Sequence, residues 1–563
     1  MSVSTSAIDE LAARFWEVLL EADPLQATVV GEHRYDDRLP DLTPEARESQ
    51  LRTLAALRVQ ADHLVPDPGL PEEMLTLSAL RWSLDAKLAQ EEANASAYTV
   101  DVTWGLQTGL LVMSTYQPLR DPADGRALLA RWRAIAPTLD QLGANLRAGL
   151  AAGLTPIRTS AERVVDQLQS VLAASPEQDA LLAPLHNRPL EGWSDSDWQR
   201  FAAELQDVVA ESARPALGRF LDTVEREALP HGRPGEEAGI GNLPGGAQIY
   251  RALARAHTTT DLSPDEIHAT GLAEVERIDA ETAELGHRVL GTASLAATQA
   301  ALRDDPRMHF ETGAQIVGVA ERSLARAQQA VPGWFGRLPR TVCVVTRMLP
   351  AEEEHSTVAY YRDPAADGSR PGQYFVNTSH PETRPRYEAE VLAFHEAVPG
   401  HHLQVALAQE LPDLPAFRRH SYLTAYVEGW GLYTERLADE MGIYSGDVDR
   451  LGMLSFDAWR ACRLVVDTGM HAMGWSRDRA IGFMLEHSAL AQNNIVNEVD
   501  RYLGLPGQAL AYKVGQLAIR RLRGEAEARL GSAFDIRAFH DAVLTHGPLP
   551  LGTLAEAVTA DLA

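Results

Sequence analysis

F-H-E-A-V-P-G-H-H-L-Q, Phe394 to Gln404, gathers three histidines and a glutamate into one short stretch. Zinc hydrolases hold their ion with histidine nitrogens, and a neighbouring carboxylate takes the proton from the water that the ion activates. His395, Glu396, His401 and His402 read as half of such a site with its base attached. In the common H-E-x-x-H form the two ligands stand one helical turn apart. Here the residue four after His395 is Pro399, so either His401 or His402 supplies the second imidazole, with Pro399-Gly400 distorting the helix to bring it round. The competing reading is a buried helix with ordinary histidines. The glutamate directly beside the first histidine weighs against it.

Tetrahedral catalytic zinc takes three protein ligands and keeps one position open. Outward from the motif, Glu428 is the best third donor. It stands in the next strongly helical stretch, Tyr422 to Met441, where Gly429 and Gly431 let backbones approach closely. Glu435 falls on nearly the same helix face and is placed to orient an imidazole through its free N–H; a surface carboxylate is the alternative. Glu396 is then the general base. Tyr502, Tyr512 and His471 are candidates to stabilise the developing oxyanion. Arg463, Gln508 and Lys513 are candidates to hold a free substrate carboxylate, and Tyr374 and Asn377 are further candidates for substrate contact. For each of these, packing or solvation is the competing role. Two imidazoles favour zinc over calcium or magnesium.

The chain has 563 residues, 45% apolar and 23% charged, an ordinary globular composition. That length buries a sizeable core and is expected to split into lobes. We read a single catalytic unit: a helical N-terminal lobe over 1–235, a loop or linker at 231–246 and a zinc-binding lobe over 247–563. The formal charge of -27, with a pI near 5.1, argues against nucleic acid or an anionic membrane as partner. Cys343 and Cys462 alone cannot make a disulfide framework. The first residues carry no basic segment and no 18-residue apolar run occurs, so cytoplasm is the default location. The expected partner is a peptide or small amide, with a homodimer left open.

The signal along the chain is mainly helical. Ile8, Leu11, Phe15, Val18 and Leu19 recur at helical spacing behind a Ser6 cap. The polar G-E-H-R-Y-D-D turn from Gly31 to Asp37 reads as a solvated loop. Pro230 to Gly246 is rich in Gly and Pro but lacks a phosphate-binding pattern, and reads as a mobile surface loop or lid. Ser263-Pro264-Asp265-Glu266 opens a helix towards Leu285, and Thr312 to Gln329 forms another. Thr341 to Thr346 and Gln373 to Asn377 read as two strands separated by a polar segment containing Asp363 to Pro371, with no convincing third. A free sheet edge there would suit an extended peptide, although a structural hairpin explains the pattern equally well. Asp457 to Met473 and Ser476 to Gln492 are further helices.

Three ordered blocks carry a resemblance: H-E-x-x-P-G-H-H-x-Q at His395 to Gln404, E-G-W-G-L-Y-x-E at Glu428 to Glu435, and P-G-Q-A-x-x-Y-K-x-G at Pro506 to Gly515. With them the chain resembles the bacterial DUF885 proteins. That family in turn is similar to the helical zinc carboxypeptidases and dipeptidyl carboxypeptidases, the group containing angiotensin-converting enzyme. The resemblance implies a two-lobed helical fold around a channel, with a small sheet at its edge. It also implies His395 as first ligand, Glu396 as base, Glu428 as third ligand, and a late tyrosine and carboxylate-binding residue, for which Gln508, Tyr512 and Lys513 stand ready. Matching the G-H pair selects His401 as second ligand; matching the following L-Q favours His402.

Two enzymatic expectations follow. The first is a zinc metallopeptidase trimming peptides near the C-terminus. The second is a zinc amidase or esterase acting on a small metabolite, through the same chemistry. A helical binding protein with a structural metal is a third reading, opposed by the spare glutamate beside the ligands.

Overall fold

In the computed structural model, which describes residues 6–186, 191–348, 353, 357–364, 370–420 and 422–563, helices begin where the sequence offers caps. Helix α1 (Ala7–Ala22) opens on a capping box between Ser6 and Asp9 and buries Ile8, Leu11 and Phe15. Helix α2 (Pro264–Leu290) opens on the same device, Ser263 with Glu266, and ends on Gly291 in the left-handed region. Helix α3 (Gly313–Ala330) is capped by Thr312. The fold is mainly α-helical, as its periodicity predicts.

The described chain forms two compact units. One comprises Met1–Leu64, Lys87–Ile249 and Gly474–Arg477; the other comprises Val65–Ala86, Tyr250–Met473 and Asp478–Ala563. The first is packed around Trp132, Leu139, Val164, Leu205 and Phe220. Its G-E-H-R-Y-D-D turn is an anchored structure. The buried Arg131 guanidinium donates to the carbonyls of Pro24, Tyr35 and Arg38, and Thr28 donates to Asp36. The Gly/Pro-rich stretch at 230–246 is likewise no free lid. Ala238, Ile240 and Leu243 are buried, and Arg233 donates to the Ala238 carbonyl.

The second unit carries the sheet and the candidate site. Strands β1 (Cys343–Arg347), β2 (Ala359–Arg362) and β3 (Gly372–Val376) lie in the order β1-β3-β2, with β3 parallel to β1 and antiparallel to β2. The sequence reading missed β2, whose four residues are too short to show alternation. Its Tyr360 ring stacks on Phe375 at 4.8 Å across the ladder. Part of the polar connection expected between the strands, residues 365–369, lies outside the described residues. The sheet is followed in the chain by helices α4 (Ala389–Glu396), which packs on β2, α5 (His401–Gln409), α6 (Thr424–Glu440), α7 (Asp447–Ala472), α8 (Gln492–Gly504) and α9 (Ala511–Leu530). Helix α7 begins ten residues before the predicted Asp457 and is buried along nearly its whole length.

Small residues set the crossings of these helices. A Cβ on Gly429 of α6 would lie 2.5 Å from the Cα of Gly515 on α9, so α6 and α9 touch backbone to backbone. At the back of the crossing, Lys513 is 0% exposed and its ammonium donates to Asp457 at 2.6 Å and pairs with Glu274 at 3.0 Å. Arg436 also pairs with Asp457, at 2.6 Å. Burial alone would raise the Asp457 carboxyl, but the two cations outweigh it and hold it well below the usual carboxylate range. This network ties α2, α6, α7 and α9 together.

Candidate metal centre

Helix α4 stops at Glu396. Ala397 leaves helical geometry (φ -101, ψ -106) and the Val398–Pro399 peptide is cis. The chain then turns back so sharply that a Cβ on Gly400 would fall 1.9 Å from the His395 carbonyl oxygen; only glycine fits there. The Trp430 indole of α6 donates to the Pro399 carbonyl at 3.0 Å and fixes the turn. Helix α5 therefore restarts with His401 beside His395, their rings 4.6 Å apart and nearly perpendicular. The two extra residues relative to H-E-x-x-H are this turn.

Glu428 meets both imidazoles. Its Oε2 lies 3.5 Å from His395 Nε2 and 3.5 Å from His401 Nε2, and one ligand atom from each residue falls within 4.8 Å of the others. A separation of 3.5 Å is too long for a hydrogen bond. It matches the edge of a tetrahedron around an ion whose ligands sit at about 2.0–2.1 Å, which is about 3.4 Å. Two imidazole nitrogens and one carboxylate oxygen are the donor set of an open catalytic zinc site, so these residues fit zinc. Among the described residues this is the one cluster of its kind.

The surroundings prepare that set. His395 Nδ1 donates to Glu435 Oε1 at 2.8 Å, which leaves Nε2 free to face Glu428. Burial opposes charge on His395, but Glu428 and Glu435 outweigh it and lift the imidazole to about 9. Burial would also raise Glu428, yet the two histidines pull it well below the carboxylate range. The point between these residues thus attracts positive charge. Glu396 stands outside the set. Burial raises its carboxyl above the ordinary glutamate value, with the two histidines opposing, and this makes it a stronger base.

His402 has another task. Its Nε2 donates to the Thr341 carbonyl and its Nδ1 accepts from the Tyr361 hydroxyl, both at 3.0 Å, while burial holds the imidazole near 4 and neutral. With both nitrogens engaged it pins α5 to the sheet. Gly372 makes room for it, since a Cβ there would lie 2.4 Å from His402 Nδ1. The open choice between the two histidines thus falls to His401 on geometry.

The remaining predicted residues divide. Tyr512 is half-buried close enough to Glu428 for the carboxylate to raise its phenol, an effect second to burial, and Gln508 hydrogen-bonds that phenol. Arg463 lies over the Tyr512 ring at 4.3 Å. Tyr374 is buried and senses the charge of Glu396. Four other candidates are engaged by neighbouring groups of the fold. Tyr502 accepts from Trp459 and Arg463, each at 2.9 Å, and is 1% exposed. His471 bonds the Tyr502 carbonyl and packs on Tyr250. Asn377 donates to the carbonyls of Glu353 and Thr357. Lys513 is consumed by its carboxylates. Each of these is committed to the fold, because a buried polar group must find a partner.

Two residues near the centre escaped the sequence reading. The Tyr422 hydroxyl donates to Glu428 Oε1 at 2.5 Å although the residue is 61% exposed. It precedes α6, so no helical spacing links it to Glu428. Arg460 NH2 lies 3.9 Å from Glu435 Oε1. Its spacing to Arg463, one turn along α7, was legible, but the direction of that face was not.

A family model matches residues 24–558, nearly the whole chain. The chain belongs to DUF885, described as a bacterial protein family of unknown function. The third family block now has a structural meaning: Gly507 turns in the left-handed region with its N–H on Asp467, and Lys513 and Gly515 seat α9. Among solved structures, a protein of Colwellia psychrerythraea described as a "putative lipoprotein" is similar at 26% identity and a TM-score of 0.90, covering 99% of this chain and 98% of that one. A "putative lipoprotein of unknown function" from Shewanella oneidensis shares the fold at 18% identity and a TM-score of 0.75, covering 98% and 99%. No curated protein matches. The expected cytoplasmic location does not stand beside these neighbours, since lipoproteins are membrane-anchored or secreted. Among the described residues no helix is long and apolar enough to cross a membrane.

Proposed function

We propose that this DUF885 protein is a zinc-dependent metallopeptidase that hydrolyses peptides near the C-terminus, a distant relative of the helical zinc carboxypeptidases. One observation carries the reading: ligand atoms of His395, His401 and Glu428 converge within 4.8 Å while Glu396, next in sequence to a ligand, stays outside the set. Zinc held by those three residues would supply a Lewis acid that polarises a carbonyl and acidifies water. Glu396 takes a proton from the attacking water and returns it to the leaving amine; its raised pKa suits both transfers. Glu435 keeps the His395 ring in one tautomer. The phenols of Tyr422 and Tyr512 flank Glu428 and are the donors available to a developing oxyanion. A membrane-anchored or secreted setting extends from the two solved neighbours as part of this proposal.

The test is Glu396→Gln. The variant should retain about one zinc per chain, the stoichiometry of a catalytic site, while turnover on a peptide library falls at least about 100-fold. Near-normal turnover with unchanged zinc would remove the mechanism. Wild-type protein that holds zinc but cuts no peptide would point instead to an amidase or esterase on a small metabolite.

A further inference from the structure

Helix α7 aims two arginines at the region behind the candidate centre. Arg460 and Arg463 are 4% and 3% exposed, and their guanidinium carbons lie 4.0 and 4.5 Å from the Trp459 ring. Arginine is almost never so buried without carboxylate partners, because an unpaired buried charge is costly. Yet among the described residues Arg460 Nε and NH1 and Arg463 NH1 have no hydrogen-bond acceptor. Arg460 reaches Glu435 only at 3.9 Å, and that carboxylate is already bonded to His395 at 2.8 Å. Arg463 shares its one carboxylate, Glu498, with Arg501, at 3.0 and 2.9 Å.

Arg463 and Arg501 are therefore hydrogen-bonded to a single carboxylate, and Arg460, among the described residues, to none. Glu388 also senses Arg460, but it offers no charge at neutral pH because burial pushes its carboxyl up to about 8. The cluster adjoins the centre on two sides: through Glu435 to His395, and through Tyr512, which lies under Arg463 and beside Glu428. The surplus of donors points to two missing negative charges.

We propose that Arg460, Arg463 and Arg501 form a subsite for a dicarboxylate, so that the preferred substrates are peptides ending in aspartate or glutamate. The inference rests on the peptidase reading for its substrate, and on the arginine cluster for its charge. The terminal carboxylate and the acidic side chain together supply the two charges, and planar guanidinium forks suit both.

The experiment is isothermal titration of the zinc-loaded full chain carrying Glu396→Gln, so that bound peptide persists, with Ala-Ala-Glu and Ala-Ala-Gln. The acidic peptide should bind at least about tenfold tighter, the yield of one charge-assisted hydrogen bond. Adding Arg460→Gln or Arg463→Gln should collapse that ratio towards one. Equal affinity for the two peptides overturns the proposal without recourse to any arginine variant. A ratio that survives in both folded arginine variants overturns the assignment to these residues. Digestion by the wild-type protein separates the two readings. Cleavage without acidic preference sinks the dicarboxylate subsite alone, whereas selective binding of Ala-Ala-Glu without any cleavage sinks the peptidase alone.

Discussion

Gly431→Ala tests whether α6 is shaped around His395. By propensity alone, alanine in the interior of a helix should stabilise the protein by roughly 0.5–1 kcal/mol. The surroundings of Gly431 predict the opposite. A Cβ there would lie 2.7 Å from His395 Cε1 and 2.9 Å from its Nε2, where ordinary contact begins at 3.4 Å. The imidazole must retreat by about 0.7 Å, well beyond the roughly 0.2 Å tolerance of a zinc–nitrogen bond. Glu435 holds the other side of the ring, so the retreat also stretches that hydrogen bond. Zinc affinity should fall by about 10–100-fold, the effect of disturbing a ligand's support, although no ligand has been removed. Competition against a chromogenic chelator measures this directly. Gly429→Ala is the control: its Cβ meets the Gly515 backbone, so it should lower the melting temperature with and without zinc. Unchanged zinc affinity in Gly431→Ala together with a raised melting temperature would refute the reasoning.

Other substitutions separate structure from chemistry. His401→Ala should lose zinc, whereas His402→Ala should keep it and lose stability by about 1–3 kcal/mol, since Thr341 and Tyr361 are left without a partner; metal analysis beside urea unfolding decides. Lys513→Met should destabilise by about 1–3 kcal/mol by taking one of its two close cations from the buried Asp457 and leaving Arg436 as the other, seen as a lower urea midpoint. Glu388 carries a pH signature. Its folded-state pKa of about 8 lies above the unfolded value, so the folded protein keeps a proton that the unfolded chain releases. The associated stability is complete below pH ~4.5 and is lost as pH rises through ~8. Glu388→Gln should flatten that decline, as urea midpoints at pH 5 and pH 8 would show.

What the sequence determined by itself was local. Caps and periodicity placed α1, α2 and α3 within a few residues, because Ser6, Ser263 and Thr312 satisfy orphan N–H groups within their own turns. The block from His395 to Gln404 also contained two of the three residues that converge in the candidate centre, His395 and His401. The partnership of Glu435 with His395 was readable from the heptad spacing of two glutamates on one helix. Strand β2 was not readable, because four residues gain their ladder only from β3.

Tertiary structure decided everything that depended on direction. His401 and His402 are adjacent and chemically identical; only the turn at Ala397–Gly400 sends one ring to Glu428 and the other to Thr341. Lys513, Tyr502, Asn377 and His471 have the side chains of a binding site, but burial requires each to satisfy a neighbour, and those neighbours lie far away in sequence. Tyr422 and Arg460 arrive at the centre for the same reason in reverse. A side chain's chemistry is written in its residue type, whereas its partner is fixed only when the helices cross, and in this protein those crossings are set by glycines whose role is to be small.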